Sequence, residues 1–287
     1  MSKPNLGLII TGQLRTFFKQ DVFDSFCTWL SVLKGYYTIY VALIINEATV
    51  DPEQFNFLKD FCAGSVIYCF DTSAVKPVPQ EFLEALKEYP FEANPMKSLC
   101  IQKKQIQIGY ELLKGFGINI SINMKTRFDL FYGYHIIPFT NPHPLFPHSI
   151  FTEIIYMDYF RKAGFGTIGE FNEWQIQQKN AGAAPFIDWN ITFGAHMQYN
   201  TDIFDTNDKL WLYHDFIIIG EPHIFERYLQ TDPYSQPEEF RRIINDKKIS
   251  NPTAGESQNI INMYLANITP IAYANGASLH IRRGEGA

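Results

Sequence analysis

The feature that most limits how this chain can fold is the regular alternation of apolar strand-like runs and amphipathic helical segments over its first 130 residues. Leu6 to Thr11 is a short, nearly continuous apolar run, as expected of a strand buried on both faces. Val22, Phe23, Phe26, Trp29, Leu30 and Leu33 recur at helical spacing and stop before Gly35. Tyr37 to Ile45 is again strand-like, and Asp51-Pro52-Glu53 reads as a helix start, with a capping acid and proline at the first helical position. Val66 to Phe70 forms a third strand, and a short helix follows around Phe82 to Lys87. An amphipathic segment from about Met96 to Phe116, broken by Gly115 and Gly117, leads into a further strand. This order predicts a three-layer α/β/α sandwich around a mostly parallel sheet.

The last strand of that series ends in Lys125-Thr126-Arg127-Phe128-Asp129-Leu130. Arg127 and Asp129 are two positions apart, so on an extended backbone both side chains leave one face. In an α/β sheet, ligand groups collect at the carboxyl edge, where this cation and carboxylate suit an anion, with or without a divalent metal. An ordinary ion pair at a strand end explains the same two residues. Thr11-Gly12-Gln13-Leu14-Arg15-Thr16 leaves the first strand at the same edge, and Gly12 there permits a tight exit while Gln13 and Arg15 reach over it. G-x-G-x-x-G spacing is missing, as are a P-loop, G-x-S-x-G, H-E-x-x-H and zinc-type Cys/His pairs.

Beyond Asp129 the composition shifts. Pro138, Pro142, Pro144 and Pro147 rule out a long helix, and the stretch from 131 to 200 is rich in rings. The chain holds 25 Phe and 16 Tyr, many of them between Phe128 and Phe225, which suits either a large aromatic core or a ring-lined groove for sugars or bases. Ile191 to Met197 reads as a strand, Thr206 to Tyr213 as a short capped helix and Phe216 to Gly220 as a strand introduced by His214-Asp215. Helices are expected over Pro222 to Leu229, Pro237 to Ile244 and Gly255 to Leu265, then strands over Ile268 to Tyr273 and Ser278 to Ile281. Glu256 stands in the first turn of its helix, where an acid meets the dipole favourably. His280, Arg282 and Arg283 close the chain in what reads either as a solvated tail or as a cationic cluster. No linker divides the chain, so residues 1–287 are expected to form one domain, with a nucleotide-side half to about 130 and an acceptor-side half after it.

Net charge is −6, and no basic stripe stands out, which argues against a nucleic-acid surface; an anionic ligand must be held by a few placed cations. No run approaches the roughly 20 apolar residues of a membrane span. Cys27, Cys62, Cys69 and Cys100 have core-like neighbours and no Cys-x-x-Cys spacing, so reduced, buried thiols are expected. With no secretory h-region after Leu6 to Ile10, the expected location is cytoplasmic, and the sequons at Asn119, Asn190 and Asn267 then carry no meaning.

Taken in order, Gly12-Gln13-Leu14-Arg15-Thr16-Phe17, the helix from Gln105 to Leu113, Lys125-x-Arg127-x-Asp129-Leu130, His214-Asp215-Phe216 with Gly220, and Gly255-Glu256 opening a helix resemble glycosyltransferases of GT-A type. The likeness is to nucleotide-sugar transferases of bacteria, algae and large DNA viruses with GQLRTF and K-x-R-x-D-L signatures, and it spans about Leu6 to Leu265. It implies a GT-A-like sheet, a nucleoside-diphosphate sugar donor and a glycan or other hydroxyl acceptor. Gly12, Gln13 and Arg15 would flank the nucleotide, with Arg127 and His214 also on the substrate. Asp129 would fall where the family carries the last acid of its D-x-D metal motif, but Arg127 replaces the first acid and no D-x-D occurs in this sequence. Two arrangements stay open: Mn²⁺ or Mg²⁺ on Asp129 with water and phosphate oxygens, or Arg127 and Arg15 neutralising the diphosphate alone. Glu256 or Asp215 would act as base. A non-catalytic nucleotide-sugar or carbohydrate-binding module on the same fold is the alternative, and a nucleotidyltransferase fits less well because it would normally need a Gly-rich, Lys/Arg-containing first loop.

Overall fold

The computed structural model describes residues 3–89, 93–131, 209–213, 217–247, 249, 252, 255–272 and 279–280. The amino-terminal part follows the expected alternation. Strand β1 (Asn5–Gly12) leads through helix α1 (Gln20–Tyr36) to β2 (Thr38–Ile45), and a 3-10 segment (Pro52–Asp60) leads to β3 (Gly64–Cys69). The 3-10 segment starts where Asp51 accepts from the Glu53 N–H at 2.9 Å. Short helix α2 (Gln80–Ala85) and long helix α3 (Ala93–Lys114) precede β4 (Ile122–Arg127) and the two-residue β5 (Leu130–Phe131). Later come β6 (Lys209–Tyr213), β7 (Ile217–Gly220), α4 (Pro222–Gln230), α5 (Pro237–Lys247), α6 (Gly255–Leu265), β8 (Thr269–Ala272) and β9 (Leu279–His280).

Among the described residues, seven strands join in the order β3-β2-β1-β4-β7-β6-β8. Four are mutually parallel from β3 to β4, β7 runs against both of its neighbours, and β8 is parallel to β6. The protein therefore has a mixed α/β fold with a central, mostly parallel sheet.

Alternation along β1 sorts the two faces. Leu6, Leu8 and Ile10 pack with Phe26, Trp29, Leu30 and Leu33 of α1, while Ile9 packs with Ile106, Tyr110 and Leu113 of α3 and with α4 and α6. Helix α3 sits close to the sheet: a Cβ on Gly109 would collide with the Ile9 side chain. A third cluster joins Phe82 and Leu86 to α5 through Phe240, Ile243 and Ile244.

Three expectations need correction. Residues 209–213 are a strand, not the end of a capped helix, because Leu210-Trp211-Leu212-Tyr213 is a bulky apolar run that fits between β7 and β8. The four cysteines are free, but none is fully buried: Cys27, Cys62 and Cys100 are half-buried and Cys69 is exposed. Cys69 ends β3, which among the described residues is an edge strand of the sheet. Finally, His280 is not part of a solvated tail, since its backbone pairs with Leu130 in a two-stranded antiparallel ribbon. The strand expected over Ile191 to Met197, the aromatic stretch beyond Phe131, Arg282 and Arg283 lie outside the described residues.

Candidate functional site at the sheet switch point

Strand order reverses beside β1. The chain moves from β1 outward to β2 and β3 on one side, then crosses to β4 on the other. In open α/β sheets, the crevice outside the carboxyl ends of two such strands is where ligands bind. Here it lies between the ends of β1 and β4, and the register pairs Thr11 with Arg127. The two motifs far apart in sequence, Gly12 to Arg15 and Arg127 to Asp129, therefore meet.

Each loop is half core and half edge. Leu14 and Phe17 are buried, as are Phe128 and Leu130. Phe17 and Phe128 meet edge to face at 5.2 Å, and Phe17 also contacts Phe18, Phe23, Phe26, Phe55 and Phe57. These anchors leave the alternate residues at the edge: Gln13 half-buried, Arg15 exposed, and Arg127 and Asp129 part-buried. Gly12 turns the chain out of β1 at φ 123°, a conformation that side-chain-bearing residues rarely adopt. Its carbonyl accepts from Asn46 N–H at 2.9 Å, Thr11 O accepts from Phe128 N–H at 3.3 Å, and Glu47 Oε1 accepts from Leu14 N–H at 3.2 Å. The β1 loop is thus tied to the ends of both neighbouring strands.

Arg127 and Asp129 hold each other. Arg127 donates through Nε to Asp129 Oδ1 at 2.8 Å and through the terminal nitrogen to Oδ2 at 2.6 Å, a two-point fork. The i, i+2 placement read from sequence produces this pair, and the pair presents a guanidinium of fixed plane at the switch point. Both carboxylate oxygens of Asp129 are engaged by it, and among the described residues no group of three or more His, Cys, Asp or Glu is gathered to hold a metal ion.

The other candidates sit as follows. Glu256 belongs to the opening of α6, which hands the chain to β8 at the amino edge and so starts toward the carboxyl side of the sheet. His214 and Asp215 lie outside the described residues, bracketed by the paired Tyr213 and Ile217. His280 comes opposite Leu130, next to Asp129 in the chain.

Several polar residues at or below this edge have no role that the sequence alone assigned. Asn46 and Glu47 follow β2, and Gln105 of α3, almost fully buried, donates to Asn46 Oδ1. Lys125, inside β4, is fully buried. Its signal was a lysine in the middle of a strand whose position in the pattern called for apolar residues on both faces.

No family model matches the chain, and no curated protein matches it. Among solved structures, mouse xyloside xylosyltransferase 1 in its apo form is similar at a TM-score of 0.36 and 12% identity, over 92% of this chain and 81% of that one. A likeness of that size carries no argument about fold or activity. No helix among the described residues is long and apolar enough to cross a membrane.

Proposed function

We propose that this chain is a glycosyltransferase that moves a sugar from a nucleoside-diphosphate donor to a glycan or other hydroxyl acceptor. The observation that carries the reading is the meeting of the Gly12 to Arg15 and Arg127 to Asp129 loops at the switch point, with Thr11 opposite Arg127. The order of motifs resembling GT-A enzymes supports the same class.

In such a transfer the bond from the anomeric carbon to the diphosphate oxygen breaks, and a bond to the acceptor oxygen forms. The diphosphate leaves with the electron pair, and the acceptor hydroxyl gives its proton to a base. Arg15 and Arg127 are the cations that meet the developing charge on the leaving group. Asp129 keeps the Arg127 fork oriented, so a diphosphate meets a guanidinium that is already placed and loses little freedom on binding. Gly12 and Gln13 line the approach, where the open backbone at Gly12 leaves room for a ligand against the chain. Glu256 or Asp215 takes the proton in an inverting reaction, and Glu256 is preferred because α6 opens toward the ligand edge. Because both Asp129 oxygens are held by Arg127, the metal-free arrangement is the better supported of the two, and a wild type indifferent to EDTA is expected.

The same committed carboxylate favours one second reading, a module that binds the nucleotide sugar without transfer. A panel of nucleotide sugars, nucleoside diphosphates and nucleosides separates these. Arg15→Ala should weaken diphosphate binding by roughly tenfold or more and leave nucleoside binding nearly unchanged, since it removes a charge-assisted contact. Equal losses for both would remove Arg15 from the site. Donor binding without transfer or donor hydrolysis over long incubation would support the binding module. If transfer occurs, Glu256→Gln and Asp215→Asn identify the base: the right variant keeps donor affinity and loses about 10²-fold or more in turnover.

A further inference from the structure

Away from the switch point, the sheet runs out to a strand that carries none of the devices that keep edges apart. β3 lies two strands from β1 and, among the described residues, has a neighbour only in β2. Soluble proteins guard such a strand with a lysine, a proline, a bulge or an inward charge. From Phe61 to Phe70 no residue is charged and none is proline. The register with β2 runs unbroken from Gly64 to Cys69, so no bulge turns the edge away. Ala63, Ser65, Tyr68 and Cys69 are exposed, Tyr68 to 42%. A straight, uncharged edge of this kind is a template for another strand.

The strand is complementary to itself. A two-fold axis perpendicular to the sheet at Val66 sets a second copy antiparallel, with Gly64 opposite Tyr68 and Ser65 opposite Ile67 of that copy. Gly64, Val66 and Tyr68 share one face. On that face the Tyr40 and Phe116 rings meet at 5.4 Å and close over Gly64, where a Cβ would press on both. Tyr68 of one copy then lies across Gly64 of the other and extends this pair of rings, an aromatic covering a glycine across two strands. Charge agrees with the same axis. Beside the start of β3, Lys34 donates to Asp60 O at 2.6 Å, Lys3 donates to Lys34 O at 2.6 Å, and Lys59 is next in the chain. Three lysines against the one carboxylate of Asp60 leave that end cationic. The far end of β3 is followed by Asp71, exposed and held below the usual carboxylate range by its hydrogen bonds with Ser73. Antiparallel pairing brings Asp71 of each copy toward the lysines of the other.

We propose that β3 is the dimerisation edge of this protein, joining two copies of the chain into one continuous sheet by antiparallel β3–β3 pairing about Val66. The carboxyl edges of the two sheets then point in opposite directions, and each copy keeps its own switch-point crevice. Sedimentation of wild type should give twice the mass of the chain. Tyr68→Lys changes a position that is already exposed, so it should keep the far-UV circular dichroism of wild type and sediment as one chain. Cross-linking reads the register. Ala63 falls opposite Cys69 of the second copy, whereas within one chain the two stand about 20 Å apart along the strand, too far for a disulfide. Ala63→Cys treated with oxidised glutathione should therefore give a disulfide-linked dimer, and the same variant with Cys69→Ser should not. Wild type that sediments as one chain at every concentration overturns the proposal. So does a dimer that survives Tyr68→Lys, or one that forms no link between positions 63 and 69, since the copies then meet on another surface. Should Tyr68→Lys fail to fold, the cross-link alone decides.

Discussion

The two faces of the sheet are built from different chemistry. Under α1, the buried layer is aliphatic and phenylalanine-rich: Leu6, Leu8, Ile10, Phe17, Phe26, Trp29, Leu30, Val41, Leu43, Met124 and Phe128. Under α3, α4 and α6, apolar residues are interleaved with buried Gln105, Asn123, Lys125, Ser257, Gln258, Asn259 and Asn262. Tyr228 donates to Asn259 Oδ1 at 2.7 Å, Asn262 donates to Tyr228 O at 3.2 Å, and Lys103 donates to Asn262 Oδ1 at 3.4 Å and also to Thr231 O. Buried polar groups cost stability unless each finds partners. The α1 face supplies cohesion, and the opposite face offsets some of it by holding buried polar groups.

The largest expected effect tests the cohesive face. Phe26 is 1% exposed and lies 5.1 Å from the Phe17 ring and 5.7 Å from Trp29. Phe26→Ala should cost about 3–5 kcal/mol in chemical denaturation, through lost burial and the cavity left behind. Nucleotide affinity per folded molecule should hold. A cost below about 1 kcal/mol would mean that the α1 face is not where stability concentrates.

The polar face should show itself in pH. Burial pushes the Lys103 ammonium down to about 8 despite the opposing pull of Asp232 and Cys100. Between pH 8 and the ordinary lysine range the unfolded chain still holds this proton and the folded chain has released it. Unfolding then takes up a proton, and the Lys103 contribution to stability rises as pH increases through that window. The full difference is about 3 kcal/mol. Burial raises the Cys62 thiol to about 12 and also raises the Cys100 thiol, and these groups act in the opposite sense at alkaline pH. The informative quantity is therefore the stability of wild type minus that of Lys103→Met, which should rise from pH 7 to pH 10. A difference constant over that range would show that Lys103 is solvated and that this part of the face is not dry.

Elements with a strong local period were legible in the sequence. The helices at Gln20–Tyr36, Ala93–Lys114, Pro222–Gln230, Pro237–Lys247 and Gly255–Leu265 and the first four strands follow from spacing, caps and glycines alone. What was not legible depends on partners remote in the chain. Residues 209–213 become a strand between β7 and β8, and Cys69 is exposed at the end of β3, which has no neighbour beyond it among the described residues. At the site, the face shared by Arg127 and Asp129 follows from a two-residue repeat. The tie between Glu47 and Leu14 could not be foreseen, because it spans 33 positions and depends on β1 lying beside β2. Lys125 was visible as a letter, but its depth belongs to the sheet.

The smallest effect, and the most local, concerns that tie. Glu47 stands just past β2 and accepts from the Leu14 N–H at 3.2 Å, while Asn46 N–H donates to Gly12 O. Together these hold the loop that carries Gln13 and Arg15. Glu47→Gln retains an acceptor oxygen and removes the negative charge, whereas Glu47→Ala removes both. If the side chain serves only as an acceptor, Gln should behave as wild type and Ala should lose about 1 kcal/mol of stability with a modest loss of diphosphate affinity. If its charge also opposes phosphate at the edge, Gln should bind diphosphate more tightly than wild type at low salt, with the gain fading as salt is added. A Glu47→Gln variant with unchanged diphosphate affinity at every salt concentration would place Glu47 outside the field of the site, and the polar face would then act on the ligand through fewer groups than its position suggests.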